Sequence, residues 1–210
     1  MVEHDFSLSR VIAIARGMEY EELSKLVRAL TDGGIRLAEV TLNSKDALNS
    51  IAKLKERYQN EIHIGAGTVL NLQAVKDAIS AGAEFIVTPN MNKQVISYCA
   101  ERNILITPGA FTPTEIVEAV QSGARYVKVF PVRALGAGYI KDILAPLSDV
   151  KLIAVGGVDD MNAEQYMRAG TYGLGVGGNL CRLPEDGDFS RITEYARKLV
   201  QTCRAFGEKG

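Results

Sequence analysis

Two charged residues stand in the middle of apolar runs, and their types suit carbonyl chemistry. Lys128 lies within Tyr126-Val127-Lys128-Val129-Phe130-Pro131. Strand alternation puts Tyr126, Lys128 and Phe130 on one face and the two valines on the other. In a strand buried on both faces an ammonium is costly, and burial lowers a lysine pKa. A neutral amine is what attack on a carbonyl needs. Glu39, in Leu37-Ala38-Glu39-Val40-Thr41-Leu42, shares a face with Leu37 and Thr41. A nucleophile and a proton carrier side by side form the pair an imine-forming enzyme requires. The plainer alternative is a structural ion pair, with Glu39 neutralising Lys128, or a lysine on the outside of a misplaced strand.

Other candidates fall where apolar runs end. Ala154-Val155-Gly156-Gly157-Val158 and Gly175-Val176-Gly177-Gly178-Asn179 offer backbone N–H groups uncovered by side chains, which suits phosphate. Tight turns alone would explain them too. Arg16 closes the first run and has the reach and geometry to grip a phosphate or carboxylate. Gly65-Ala66-Gly67-Thr68 lets a ligand approach the backbone and adds a hydroxyl at Thr68; a bulge or barrel corner is the alternative.

These residues must be held by a repeating frame. Eight short β-branched runs recur: Val11–Arg16, Leu37–Leu42, His63–Val69, Phe85–Pro89, Leu105–Gly109, Tyr126–Pro131, Lys151–Gly156 and Gly173–Gly178. Helical patterns separate them, at Glu21–Gly33, Lys45–Tyr58, Leu72–Ala81, Lys93–Arg102, Pro113–Gly123, Tyr139–Leu147, Asn162–Gly170 and Phe189–Phe206. Thr112-Pro113-Thr114-Glu115 is a capping box with proline at the first helical position. Eight β/α units in a chain of 210 residues predict a single-domain (β/α)8 TIM barrel spanning residues 1–210. An open doubly wound sheet would show G-x-G-x-x-G after its first strand, whereas Ala15-Arg16-Gly17-Met18 stands there. Met1–Arg10 predicts a short extra helix over the barrel bottom. A barrel carries its chemistry at the C-terminal ends of its strands, which is where these candidates lie.

Bulk properties narrow the function. With a formal net charge of -1 and no basic run, nothing favours nucleic acid or an anionic membrane. The acidic start lacks the apolar segment of a signal peptide, and no run has the roughly 18 apolar residues of a spanning helix. Cys99, Cys181 and Cys203 are scattered and fit a reduced cytoplasmic setting. His4 and His63 stand too far apart for a histidine-based metal site or triad, which leaves carboxylate-bound magnesium open.

The motifs, taken in order, resemble one family. They are LAEVTLNS at Leu37–Ser44, GAGTVLN at Gly65–Asn71, VTPN at Val87–Asn90, PGAFTPTE at Pro108–Glu115, YVKVFP at Tyr126–Pro131, AVGGV at Ala154–Val158 and GVGGNL at Gly175–Leu180. From about Val11 to Arg182 the chain is similar to the 2-keto-3-deoxy-6-phosphogluconate aldolases and their 6-phosphogalactonate and 4-hydroxy-2-oxoglutarate relatives. The resemblance implies a class I aldolase with Lys128 as Schiff-base lysine and Glu39 as acid/base. Arg16, Asn43, Thr68 and Pro89 are expected to meet the substrate, and the resemblance implies that Gly156, Gly157, Gly177, Gly178 and Asn179 meet its phosphate. It also implies a homotrimer with neither metal nor organic cofactor. Gluconate-type enzymes carry arginine where Asn43 stands, whereas galactonate-type enzymes carry Leu-Asn-Ser, as Leu42-Asn43-Ser44 does.

The leading expectation is cleavage of a 2-keto-3-deoxy-6-phosphosugar acid to pyruvate and glyceraldehyde 3-phosphate. One alternative is cleavage of 4-hydroxy-2-oxoglutarate to pyruvate and glyoxylate. Others are a phosphate-binding barrel isomerase or decarboxylase that forms no imine, and a non-catalytic binder, which would have no need of a buried amine.

Overall fold

The computed structural model describes residues 2–206. Strands β1 (Val11–Ala15), β2 (Leu37–Thr41), β3 (His63–Gly67), β4 (Phe85–Val87), β5 (Leu105–Thr107), β6 (Gly109–Ala110), β7 (Val127–Val129), β8 (Leu152–Val155) and β9 (Gly173–Val176) form one sheet. Their spatial order is β5-β4-β3-β2-β1-β9-β8-β7-β6, every pair parallel. Helix α1 (Val2–Ser9) precedes β1. Helices α2 (Tyr20–Asp32), α3 (Ala47–Arg57), α4 (Leu72–Ser80), α5 (Lys93–Glu101), α6 (Pro113–Gln121), α7 (Gly136–Leu144), α8 (Ala163–Arg168) and α9 (Ser190–Arg204) follow the strands. The result is an α/β barrel, with nine strand segments where the spacing predicts eight. The additional segment arises at Pro108. Proline has no N–H to continue the ladder, so β5 pairs with β4 and β6 with β7, at opposite ends of the strand order.

Period-two alternation sorts the side chains into two cores. Ile12, Leu37, Phe85, Val87, Leu105, Tyr126, Ile153 and Val155 fill the barrel. Ala13, Ala38, Val40, Ile64, Val127, Val129 and Ala154 face the helices. Lys128 and Glu39 therefore sit between outward-facing neighbours and point inward, as their runs predict. The capping box of α6 forms as read: Glu115 N–H donates to Thr112 Oγ1 and Thr112 N–H donates to Glu115 Oε2.

Helix α1 covers the barrel bottom, with Met1 outside the described residues. It inserts Phe6, fully buried, against the edge of Tyr126 at a centroid distance of 5.2 Å. It is also held by His63, whose Nε2 lies 2.7 Å from Asp5 Oδ2 and whose Nδ1 lies 2.9 Å from Glu84 Oε1. Lys55 Nζ completes this cluster 2.8 Å from Glu84. Among the described residues no helix is long and apolar enough to cross a membrane.

Candidate active site

Lys128 comes from the centre of β7, between Gly109 of β6 and Ile153 of β8 in the register. It is 6% exposed, and its Nζ lies 4.7 Å from the centroid of the Phe130 ring. Burial pushes its pKa down, Glu39 pulls it up and Arg16 pushes it down further. Desolvation is the largest of these effects, because the charged form loses hydration that hydrocarbon neighbours cannot replace.

Glu39 is 1% exposed and stands on β2 between Ile14 of β1 and Gly65 of β3. Its carboxylate leans over Gly67. A Cβ at that position would lie 2.6 Å from Oε1, so a glycine there makes room for the acid. Burial pushes the Glu39 pKa up, opposed by Lys128 and Arg16. The two groups feel each other without forming an ion pair, and Oε2 of Glu39 has no hydrogen-bond partner among the described residues. Both pKa values are drawn toward the neutral forms, an amine and a carboxylic acid. That is the state from which an amine adds to a ketone and an acid assists loss of water.

Above the pair opens a cavity of about 260 Å³ at the C-terminal ends of the strands. Arg16, Lys128, Phe130, Gly156, Gly157, Gly177, Gly178 and Asn179 line it. Arg16 follows β1 and reaches two other expected residues, donating at 3.5 Å to Asn43 Oδ1 and at 3.5 Å to Thr68 Oγ1. Asn43 and Thr68 thus join the site through Arg16 and do not themselves line this cavity. Thr68 holds a left-handed backbone, φ 56°, which a β-branched residue adopts only under local strain. Pro89 stands apart, half-buried after β4 with its backbone pressed against Gly109, and the structure does not place it on the cavity wall.

Both glycine turns lie on the cavity wall. Gly157 has φ 89°, and its missing side chain leaves room for the stem of Arg133. The Arg133 N–H donates to the Gly156 carbonyl at 2.9 Å, and the Asn162 side chain donates to the Gly157 carbonyl at 2.9 Å. Asp159 lines the cavity too, but Oδ1 of its carboxylate accepts from the N–H groups of Met161 and Asn162.

Two residues escape a reading of sequence pattern. Arg133 lies in the 3-10 turn Val132–Ala134 and brings a second cation to the cavity wall. Its place just past the Lys128 strand, in a loop at the functional end of a barrel, is the signal that would have found it. Thr107 faces inward on β5, beneath the cavity. A threonine in a strand carries no comparable signal.

The family described as KDPG and KHG aldolase matches residues 2–195. The chain is 39% identical over 195 residues to the 2-dehydro-3-deoxy-6-phosphogalactonate aldolase of Escherichia coli strain K12, covering 92% of this chain and 94% of that one. Among solved structures, one described as native KDPGal is 36% identical, with a TM-score of 0.87 over 93% of this chain and 95% of its own. The KDPG aldolase of Legionella pneumophila, captured with pyruvate as a covalent carbinolamine intermediate, is 27% identical, with a TM-score of 0.79 over 98% of this chain and 97% of its own. The chain belongs to the KDPG and KHG aldolase family.

Proposed function

We propose that this chain is a class I aldolase cleaving a 2-keto-3-deoxy-6-phosphosugar acid, the galactonate type in preference to the gluconate type, to pyruvate and glyceraldehyde 3-phosphate. The observation that carries the reading is a buried amine and a buried carboxyl group facing the same barrel interior, both drawn toward their neutral forms. Lys128 Nζ adds to the C2 ketone, giving a carbinolamine. Glu39 passes a proton to the departing hydroxyl, and water leaves as the iminium forms. Glu39, now a carboxylate, takes the proton of the C4 hydroxyl. The C3–C4 electron pair moves into the iminium, releasing the aldehyde and leaving an enamine. Protonation at C3 and hydrolysis return pyruvate and free Lys128. The iminium is the electron sink, the part a metal ion plays in other aldolases.

Arg16, held against Asn43 and Thr68, suits the keto-acid carboxylate. The paired glycine turns, Asn179 and Arg133 suit the phosphate at the other end. Two cations and two glycine turns on one cavity favour a phosphorylated substrate over 4-hydroxy-2-oxoglutarate, whose cleavage would give pyruvate and glyoxylate. A buried lysine with no ion pair is unneeded by an isomerase or decarboxylase that forms no imine, or by a non-catalytic binder.

Asn43 supports the galactonate type, since asparagine can both donate to and accept from a hydroxyl where arginine only donates. Steady-state kinetics on the three acids tests this. The galactonate acid is expected to have the highest kcat/KM. A tenfold preference for the gluconate acid, about 1.4 kcal/mol, would overturn the specificity reading and leave the aldolase chemistry standing.

The eight-unit barrel belongs to the same reading, with β5 and β6 as one strand interrupted by Pro108 and the whole chain as one domain. Three buried, unpaired cysteines accord with a cytoplasmic setting. The homotrimer that the family resemblance implies can be read by light scattering on the purified protein.

A further inference from the structure

Beneath Lys128 lies a second, much smaller space of about 10 Å³. Its wall is hydrocarbon from Ile12, Ile14, Val87, Ile153 and Val155, together with Gly175 and three polar residues: Glu39, Thr107 and Lys128. Thr107 stands on β5, level with Val87 of β4. It is 1% exposed, and its hydroxyl has no hydrogen-bond partner. Among the described residues only one other buried side-chain oxygen lacks a partner, and it is Oε2 of Glu39. Two orphaned side-chain oxygens thus line one small space, and among the described residues no other buried side-chain N or O atom lacks a partner.

A space of about 10 Å³ admits one water and little else, and a buried water needs two to four polar partners. Thr107, Glu39 and Lys128 supply three. We propose that Thr107 is a positioning residue, which together with Glu39 holds a single water under Lys128 and so keeps the Glu39 carboxyl turned toward the reacting atoms. The inference rests on Glu39 being the proton carrier of the proposed reaction.

The consequence is a matter of proton affinity. A water anchored by the Thr107 hydroxyl donates to Oε2 and favours the carboxylate. It thereby offsets part of the burial that pushes the Glu39 pKa up. The other charged or titratable groups that Glu39 feels are Lys128 from β7, Arg16 after β1 and the Cys181 thiol after β9.

The test compares Thr107→Val and Thr107→Ser with the wild-type enzyme. Three readings are taken: kcat/KM against pH, melting temperature, and deuterium exchange at the pyruvate methyl group followed by NMR. The valine protein is expected to melt somewhat lower than wild type, because loss of the hydroxyl leaves the water and Oε2 of Glu39 a partner short. Its exchange rate should fall about tenfold, a part of the range for general acid–base groups. The acid limb of its pH profile should move up by about half a unit. The serine protein should regain the wild-type profile.

An unchanged exchange rate and pH profile in the valine protein would reduce Thr107 to packing and overturn the proposal. So would a serine protein that behaves like the valine one. If the valine protein does not fold, Thr107→Cys, close in size and a weak hydrogen bonder, carries the same comparison. Borohydride trapping of pyruvate on Lys128 should persist in every variant. Its absence in the wild-type enzyme would instead count against the aldolase mechanism itself.

Discussion

A lysine that is 6% exposed at the C-terminal end of a barrel has lost most of the water that keeps an ammonium charged. The glutamate facing it has lost more, and the two pKa values move toward each other. Each draws the other back toward its charged form, but desolvation is the larger effect on both. Glu39→Gln keeps the size of the side chain and removes its proton chemistry. We expect kcat to fall about 10²–10⁴-fold, while pyruvate is still trapped on Lys128, only more slowly. Steady-state rates with a trapping time course check this, and near-wild-type turnover would leave Glu39 a mere counter-charge. Both residues were legible from sequence for one reason: a charge inside an apolar run has few explanations. Thr107 was not, because a hydroxyl in a strand is ordinary until its missing partner is seen. The linking of Asn43 and Thr68 through Arg16 was equally hidden, since the three come from the ends of separate strands and meet only when the barrel closes.

The elements are held by devices of differing strength. Helix α1 is eight residues long, too short to be stable alone, and depends on what it docks against. Phe6 supplies the apolar anchor and the Asp5–His63–Glu84–Lys55 cluster the polar one. The Glu84 hydrogen bond is the main cause raising the His63 pKa, with Asp5 adding to it against burial. Glu84 is itself lowered, by His63 and Lys55 working against desolvation.

The signs follow from linkage. The stability contributed by His63 is fully present below its unfolded pKa of about 6.5 and is lost as pH rises through its higher folded value. That of Glu84 is present above about 4.3 and is lost as pH falls through its lower folded value. Asp5→Asn is therefore expected to lower the melting temperature most between about pH 4.3 and 6.5, and least at alkaline pH, with kcat unchanged. Melting curves across pH check it. No loss at any pH would assign the docking of α1 to Phe6 alone, and a uniform loss would show that Asp5 acts independently of the charge on His63. Sequence spacing foretold the helix but not this clamp, since His63 read as one of two isolated histidines. The break between β5 and β6 was also missed, although the proline in Leu105–Gly109 was its visible cause.

Across the whole molecule, the ends of β1, β2, β3, β7, β8 and β9 converge on one mouth. In the proposed reaction, chemistry sits deep on β2 and β7, while anion binding is divided between the Arg16 side and the Arg133 side. The division makes a prediction. Arg133→Met keeps much of the stem that lies over Gly157 and removes the charge. We expect KM for a phosphorylated substrate to rise about tenfold, the share of one charge-assisted contact. The kcat/KM for 4-hydroxy-2-oxoglutarate should change by less than about twofold. Equal losses for both would put the phosphate elsewhere. The barrel itself was legible because alternating short strands and amphipathic helices leave few other architectures. What the sequence could not display was the cavity, which is formed by residues more than a hundred positions apart.

The proposed mechanism requires a covalent bond at one nitrogen, Nζ of Lys128. Borohydride added together with pyruvate should inactivate the enzyme and add one reduced pyruvate to the peptide containing Lys128, as read by mass spectrometry after digestion. Either reagent alone should leave activity intact, and a chelator should not prevent the trapping. Label on any other lysine, or full activity after treatment with both reagents, would contradict the assignment of Lys128 as the imine-forming residue.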